Sequence, residues 1–266
     1  DFTTSVPATW NVATKIAKYG YSLAGYKMIG WNTKADGTGT TYTAGQNVVL
    51  NLTSINGGPA TLYAVWEIQE YALTIAKGTN ANGIGNITVS VDGEALTAGE
   101  NGAYTVTYGE NVTINVTYNT GYTFKSWSGG TVTNNTFTMP AQDTTLTVNA
   151  KPIGYQLTLH GNEGTIGGQT SYKINIDFNK TITLPNGKTY NGSNLAITRE
   201  GYSFRGWAES ANGGIVYPLD NLSYTHDTAG PVDLYAVWEA NTYTVTYYAN
   251  NEVKPEGTYI VPTKAT

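Results

Sequence analysis

The chain has 266 residues, of which 40% are hydrophobic and only 12% charged, with a net charge of −5 and no cysteine. The missing cysteines exclude disulfides, thiolate metal sites and cysteine nucleophiles. The scattered Lys and Arg exclude a phosphate-tracking groove, so nucleic acid is not an expected partner.

Length predicts two to four small units, and 21 Tyr, 31 Gly and abundant Thr predict a mainly β chain. Helical spacing is scarce; the one helix expected runs from Trp10 to Ala17. Gly25-Tyr26-Lys27-Met28-Ile29-Gly30-Trp31 follows, then Asp36-Gly37-Thr38-Gly39, which reads as a turn. Leu62-Tyr63-Ala64-Val65-Trp66-Glu67 closes this stretch. Tyr71, Leu73 and Ile75 share one face at period two, which predicts a strand. Asn82-Gly83-Ile84-Gly85 reads as a turn between strands. Ile87, Val89 and Val91 predict a strand running into Asp92-Gly93, a strong hairpin signal. Val112, Ile114 and Val116 alternate with polar residues. Gly121-Tyr122-Thr123-Phe124-Lys125-Ser126-Trp127 repeats the earlier heptapeptide. Phe137 and Met139 predict a strand that Pro140 ends. Leu146-Thr147-Val148-Asn149-Ala150-Lys151 stands where the closing Leu-Tyr-Ala-Val-Trp-Glu is expected, with Ala150 in place of Trp. Tyr155, Leu157 and Leu159 form another strand face, as do Ile174, Ile176 and Phe178. Gly201-Tyr202-Ser203-Phe204-Arg205-Gly206-Trp207 is the third heptapeptide. Leu234-Tyr235-Ala236-Val237-Trp238-Glu239 is identical to residues 62–67. Tyr243, Val245 and Tyr247 open a further strand.

The heptapeptides begin 96 and 80 residues apart, and an internal period of this kind marks a repeat array. The units are 1–67 (with an atypical start), 68–152, 153–239, and 240–266 as the opening half of another. Four residues, Glu239 to Thr242, separate Trp238 from Tyr243. A join that short is no flexible tether, and an elongated, semi-rigid rod is expected.

Taken in order, the Gly-Tyr-x-Phe-x-Gly-Trp heptapeptide, the Leu-Tyr-Ala-Val-Trp closing motif and the Tyr-x-Val-Thr-Tyr opening resemble the Listeria–Bacteroides repeat family, the B-repeat type of internalin B. The middle unit, with Gly121–Trp127 and Thr136–Asp143, resembles its divergent branch. The resemblance covers essentially the whole chain. It implies a bacterial surface or secreted protein, and it implies β-grasp-like repeats, a mainly β (β-rich α+β) fold.

Candidate functional residues are few. Trp31, Trp66, Trp127, Trp207 and Trp238 recur at fixed repeat positions, so they are expected as structural anchors of small cores. Trp10 lies outside the repeat signatures, and local packing is expected of it too. The two histidines, His160 and His226, show no metal-binding spacing, and His226-Asp227 is expected in a solvated loop. No nucleophile elbow occurs, the carboxylates are dispersed, and neither a catalytic residue, a metal nor a cofactor is expected. The expected role is a non-catalytic spacer and adhesion region, extracellular and attached to or secreted from a bacterial cell. Its partner would be a host surface protein or a glycan, with Tyr42, Tyr172, Tyr190, Tyr217 and Tyr224 as ligand-contact candidates outside the core signatures. The alternative is a carbohydrate-binding accessory region of a secreted enzyme, which expects coplanar exposed aromatics. No apolar run is long enough to insert in a membrane, and any export signal or anchor is expected outside this sequence. Self-association through strand 243–248 is a lesser expectation.

Overall fold

The computed structural model describes residues 5–18 and 21–247. Two compact units form: Asp1–Tyr118 with Phe124–Ala150, and Asn119–Thr123 with Lys151–Thr266. Among the described residues nearly all regular structure is strand, with one 3-10 turn at Ala81–Gly83.

The third repeat shows the plan most completely. Its opening strand, Gly154–His160, alternates so that Leu157 and Leu159 are fully buried. It pairs antiparallel with Ser171–Asp177 and parallel with the closing strand Val232–Ala240. The closing strand pairs antiparallel on its other side with the heptapeptide strand Tyr202–Ala208, which carries the short strand Tyr217–Pro218. The five-stranded sheet thus has a parallel pair at its centre and antiparallel neighbours outside. Three two-stranded ladders, between 165–166 and 197–198, 181–183 and 223–225, and 189–190 and 193–194, lie apart from that sheet. Ile166, Leu184, Ile197 and Leu222 from the connecting segments join Leu157, Leu234 and Trp207 in one core.

The middle repeat keeps the central arrangement and adds a second sheet. Glu70–Lys77 runs parallel to Thr144–Pro152, and Ala103–Thr107 and Tyr122–Ser128 flank them. A second four-stranded sheet is built from Thr136–Thr138, Asn111–Tyr118, Ile84–Val91 and Glu94–Ala95. Leu73, Val106 and Leu146 from the first sheet and Val89, Val112 and Ile114 from the second fill a shared core. The expected hairpin is present: Asp92 and Gly93 have φ of 48° and 86°, the paired positive values that suit tight antiparallel turns, and Val91 pairs with Glu94.

The first repeat has Thr41–Thr43, Tyr26–Asn32 and Tyr63–Ile68 in one sheet. The helix expected over Trp10–Ala17 is a strand instead, with Ala13–Lys15 pairing with Asn47–Val49. Thr14 and Ile16 turn inward while Val12 stays exposed. Period two and β-branched Val12, Thr14 and Ile16 favour the extended chain. The fourth opening strand is also corrected. No strand of the described residues includes Tyr243, Val245 or Tyr247, and Tyr243 is 75% exposed. The two observed opening strands are each held between an antiparallel neighbour and a closing strand; residues 248–266 lie outside the described residues.

The heptapeptide's pattern has a direct geometric cause. A bulge interrupts its pairing with the closing strand between Met28 and Gly30, and again between Phe204 and Gly206. There the next strand comes close: a Cβ on Gly30 would lie 2.4 Å from the Tyr42 carbonyl oxygen, and on Gly206 2.3 Å from that of Tyr217. Only glycine admits that approach.

Candidate functional site

The anchoring tryptophans act through both ring and N–H. Trp207 is fully buried and donates to the Pro185 carbonyl at 3.0 Å. Trp31, 9% exposed, donates in the same way to Ala17 at 2.8 Å. Each therefore ties the segment preceding its heptapeptide onto the sheet. Trp238 is half-buried, packs on the third core, and donates to the carbonyls of Gly161 and Asn162 just after the opening strand. Trp127 packs half-buried against both clusters of the middle repeat. Trp66 is half-buried as well.

The tyrosine candidates are not brought together. Tyr42 lies in the first unit, half-buried, opposite Trp31 in the ladder. Tyr172 and Tyr190 meet edge-on at 6.1 Å and pack against the third core. Tyr217 packs there too, edge-on to Tyr224 at 5.6 Å. Tyr224 is corrected as a contact residue: it is 4% exposed and belongs to the core. Its neighbours Ser223 and Thr225 face outward, so strand alternation puts its ring inside. Burial, reinforced by Tyr217, Asp227 and Glu209, pushes the Tyr224 hydroxyl up to about 12.

His226 is likewise corrected from a solvated loop to a fully buried residue. Its Nδ1 lies 2.8 Å from the Tyr224 hydroxyl and its Nε2 3.0 Å from the Gly230 carbonyl. A carbonyl only accepts, so Nε2 donates to Gly230, and Nδ1 shares the second bond with the hydroxyl. The loop closes over it through these bonds. His160 pairs with Asp233 at 2.8 Å and stacks on Tyr235 at 4.7 Å. Among the described residues no hydroxyl is bonded to that imidazole. Asp36 accepts from the backbone N–H and the hydroxyl of Thr38, which hold its carboxyl below the usual range. Those bonds close a turn, and buried Asn32 braces the same loop through Gly37 and Gly39. No group of three His, Asp or Glu side chains among the described residues is placed to hold a metal ion.

Two features of the first repeat were missed in the sequence. A cleft of about 800 Å³ is lined by Val6, Trp10, Ile16, Trp31, Leu52 and Ile55 among others. Trp10 is 53% exposed there. The closing strand Tyr63–Ile68 also pairs on one side only among the described residues, whereas its two counterparts each gain a parallel opening strand. The atypical start of the first unit was the available signal: it shows no Tyr-x-Leu-Thr-Leu segment, and among the described residues no strand pairs with that edge.

Residues 3–65 and 155–237 match the Listeria-Bacteroides repeat domain, and residues 78–154 match the divergent InlB B-repeat domain. A protein of Evansella cellulosilytica described provisionally as a Gly-rich membrane protein is 27% identical over 240 residues, covering 85% of this chain and 22% of that protein. The chain therefore spans about a fifth of that curated relative. In the described residues no helix is long and apolar enough to cross a membrane. Among solved structures, the Bacillus anthracis TIE protein aligns over 68% of this chain and 36% of its own, at 13% identity and a TM-score of 0.34, a value on which no argument rests.

Proposed function

We propose that this chain, which belongs to the Listeria–Bacteroides repeat family, is a non-catalytic repeat region of a bacterial cell-surface or secreted protein and acts there as a spacer and adhesion module. The observation that carries this reading is where the large side chains go. The recurring tryptophans are spent on packing and on tying segments to the sheet, and the titratable groups are dispersed or engaged in turns and surface pairs. What the repeats expose is a low-charge surface rich in Thr, Asn and Tyr, together with strand edges. Such surfaces suit contact with another macromolecule over area. The parallel central pair with antiparallel flanks supports a β-grasp-like repeat in which extended segments stand in place of a helix. Joins of a few residues support an elongated array, which small-angle scattering tests directly: a compact globule of this mass contradicts it.

Carbohydrate binding ranks second. It expects coplanar exposed aromatics, and the ring pairs here meet edge-on or tilted, His160 with Tyr235 excepted. The first-repeat cleft with exposed Trp10 is the one place that favours it. Equilibrium binding of the labelled chain to host-cell surfaces, matrix proteins and polysaccharides separates the readings. Saturable binding to cells or a matrix protein supports adhesion. Saturable binding to a glycan that Trp10→Ala abolishes supports the alternative. Binding to nothing leaves a spacer.

A further inference from the structure

Each heptapeptide opens with Gly-Tyr, where the tyrosine N–H donates to the carbonyl three residues earlier (Leu23, Asn119 and Arg199) and the glycine takes the third position of that turn. All three glycines are in the left-handed region, with φ of 77° at Gly25, 82° at Gly121 and 75° at Gly201. Each glycine carbonyl accepts a hydrogen bond from the residue two positions before the next repeat's opening tyrosine: Gln69 at 2.8 Å, Ile153 at 2.8 Å and Asn241 at 2.8 Å. The chain leaving a repeat is thus clipped back onto that repeat's own heptapeptide.

A second clip comes from the repeat that follows. The Gln69 carbonyl accepts from the N–H of Tyr108, one residue past the strand Ala103–Thr107. Inside the second unit the Ile153 carbonyl accepts from Phe178, one residue past Ser171–Asp177. The rings of these two residues then lie on the glycines. A Cβ on Gly25 would sit 2.0 Å from Tyr108 Cδ1, and on Gly121 2.3 Å from Phe178 Cδ1. The motif tyrosine completes the contact edge-on, Tyr26 to Tyr108 at 6.0 Å and Tyr122 to Phe178 at 5.5 Å. Phe178 is thereby corrected from an expected strand position to this contact beyond the strand end. Two different aromatics therefore make the same contact at the same place in the repeat.

We infer that the Gly-Tyr pair is the docking site for the following repeat, filled by an aromatic one residue past the strand that pairs antiparallel with that repeat's opening strand, and that at Gly25 and Gly121 the docked ring, lying where a Cβ would sit, adds a second demand for glycine to that of the turn. Gly201–Tyr202 offers the same surface, with the same φ and the same linker bond and with the Arg199 guanidinium 3.8 Å from the Tyr202 ring centroid. The partner it fits is another repeat of this type carrying Tyr or Phe at the position of Phe178. The inference stands whether the array binds a ligand or only spaces.

The test uses amide hydrogen exchange on the full chain. Tyr108→Ala is expected to lower protection of residues 67–70 by roughly tenfold or more while Ile114 and Leu146 keep theirs, and Tyr108→Phe is expected to behave as wild type. Unchanged protection over 67–70 overturns the inference, as does a loss shared equally by Ile114 and Leu146, which would mark Tyr108 as core only. A chain with residues 153–239 repeated after Ala240, which keeps Ile153 of the copy at the position of Asn241, tests the third site. The appended ring should shift the Gly201 and Tyr202 resonances, and Phe178→Ala in the appended copy should restore them; resonances indifferent to the appended repeat overturn the assignment.

Discussion

Replacing Trp207 with Ala probes the repeat at its densest point. The ring is wholly buried, packs edge-on to Phe204 at 5.2 Å, and satisfies the Pro185 carbonyl. A buried Trp removes about 150–250 Å² from water, worth about 4–6 kcal/mol at about 25 cal/mol per Å². Residual burial in the unfolded chain trims this to about 3–5 kcal/mol, which agrees with the range for aromatic-to-alanine changes in cores. The lost hydrogen bond adds about 1 kcal/mol. Urea denaturation followed by fluorescence, with hydrogen exchange read over 154–160 and 232–240, measures the loss and locates it. Trp31→Ala supplies the contrast. Its ring faces a cleft already open, so little new cavity is created and about half the loss is expected. If Trp207→Ala costs under about 1 kcal/mol, or leaves exchange in its own sheet unaltered, the tryptophans are not core anchors and the repeat signature needs another explanation.

Glycine substitutions separate strain from collision. Gly201→Ala meets only left-handed strain, about 1–2 kcal/mol, whereas Gly206→Ala also drives a Cβ into the Tyr217 carbonyl and should lower the melting temperature clearly further; equal shifts contradict the close-approach reading. Alkaline titration followed by tyrosinate absorbance should show one late step near the value of about 12 belonging to Tyr224, absent in Tyr224→Phe. Because the folded value lies above that of the unfolded chain, the unfolded state loses its proton first. This contribution is therefore complete below about pH 10 and is lost as pH rises toward 12, about 2–3 kcal/mol in all. A denaturation profile flat across that window refutes it. Trp10→Ala, at an exposed ring, should change stability by under about 0.5 kcal/mol, and a larger loss in urea denaturation would make Trp10 part of the first core.

Much of the organisation was legible because repetition converts sequence into geometry. The period-two faces of 71–75 and 155–159 became opening strands, and Asp92-Gly93 became the turn it signals. The parts that were not legible depended on partners distant in sequence. Trp10–Ala17 carries helix-like spacing beside the period-two Val12, Thr14 and Ile16, and the pairing with Asn47–Val49 decides for the strand. His226 looks solvated from its polar neighbours until Tyr224 and Gly230 take both ring nitrogens. Tyr224 looks like a free tyrosine because the short strand that turns it inward pairs with Thr181–Thr183, some forty residues upstream.

The substitution of Ala150 for the closing tryptophan is the sharpest case of a distant partner deciding a local residue. In the third repeat Trp238 spans from the closing strand to the loop after the opening strand, and Asn162 of that loop donates back to Ala236. In the middle repeat the same loop is held by backbone and amide instead: Ala150 N–H donates to the Thr79 carbonyl, and Asn80 donates to the Ala150 carbonyl, both at 3.0 Å. Asn80 and Asn162 share the left-handed conformation, with φ of 53° and 48°. Ala150 is fully buried in a cluster with Ile84 and Val148, against which Tyr118 and Trp127 also pack, so a larger side chain there has to displace its neighbours. Ala150→Trp should therefore fail to restore the signature's stability. It should overpack this cluster and cost about 1–3 kcal/mol, with loss of exchange protection concentrated at Thr79 to Ile84. A variant as stable as the wild type would mean that the loop and the second sheet can withdraw, and that the middle repeat retains the packing plan of its neighbours.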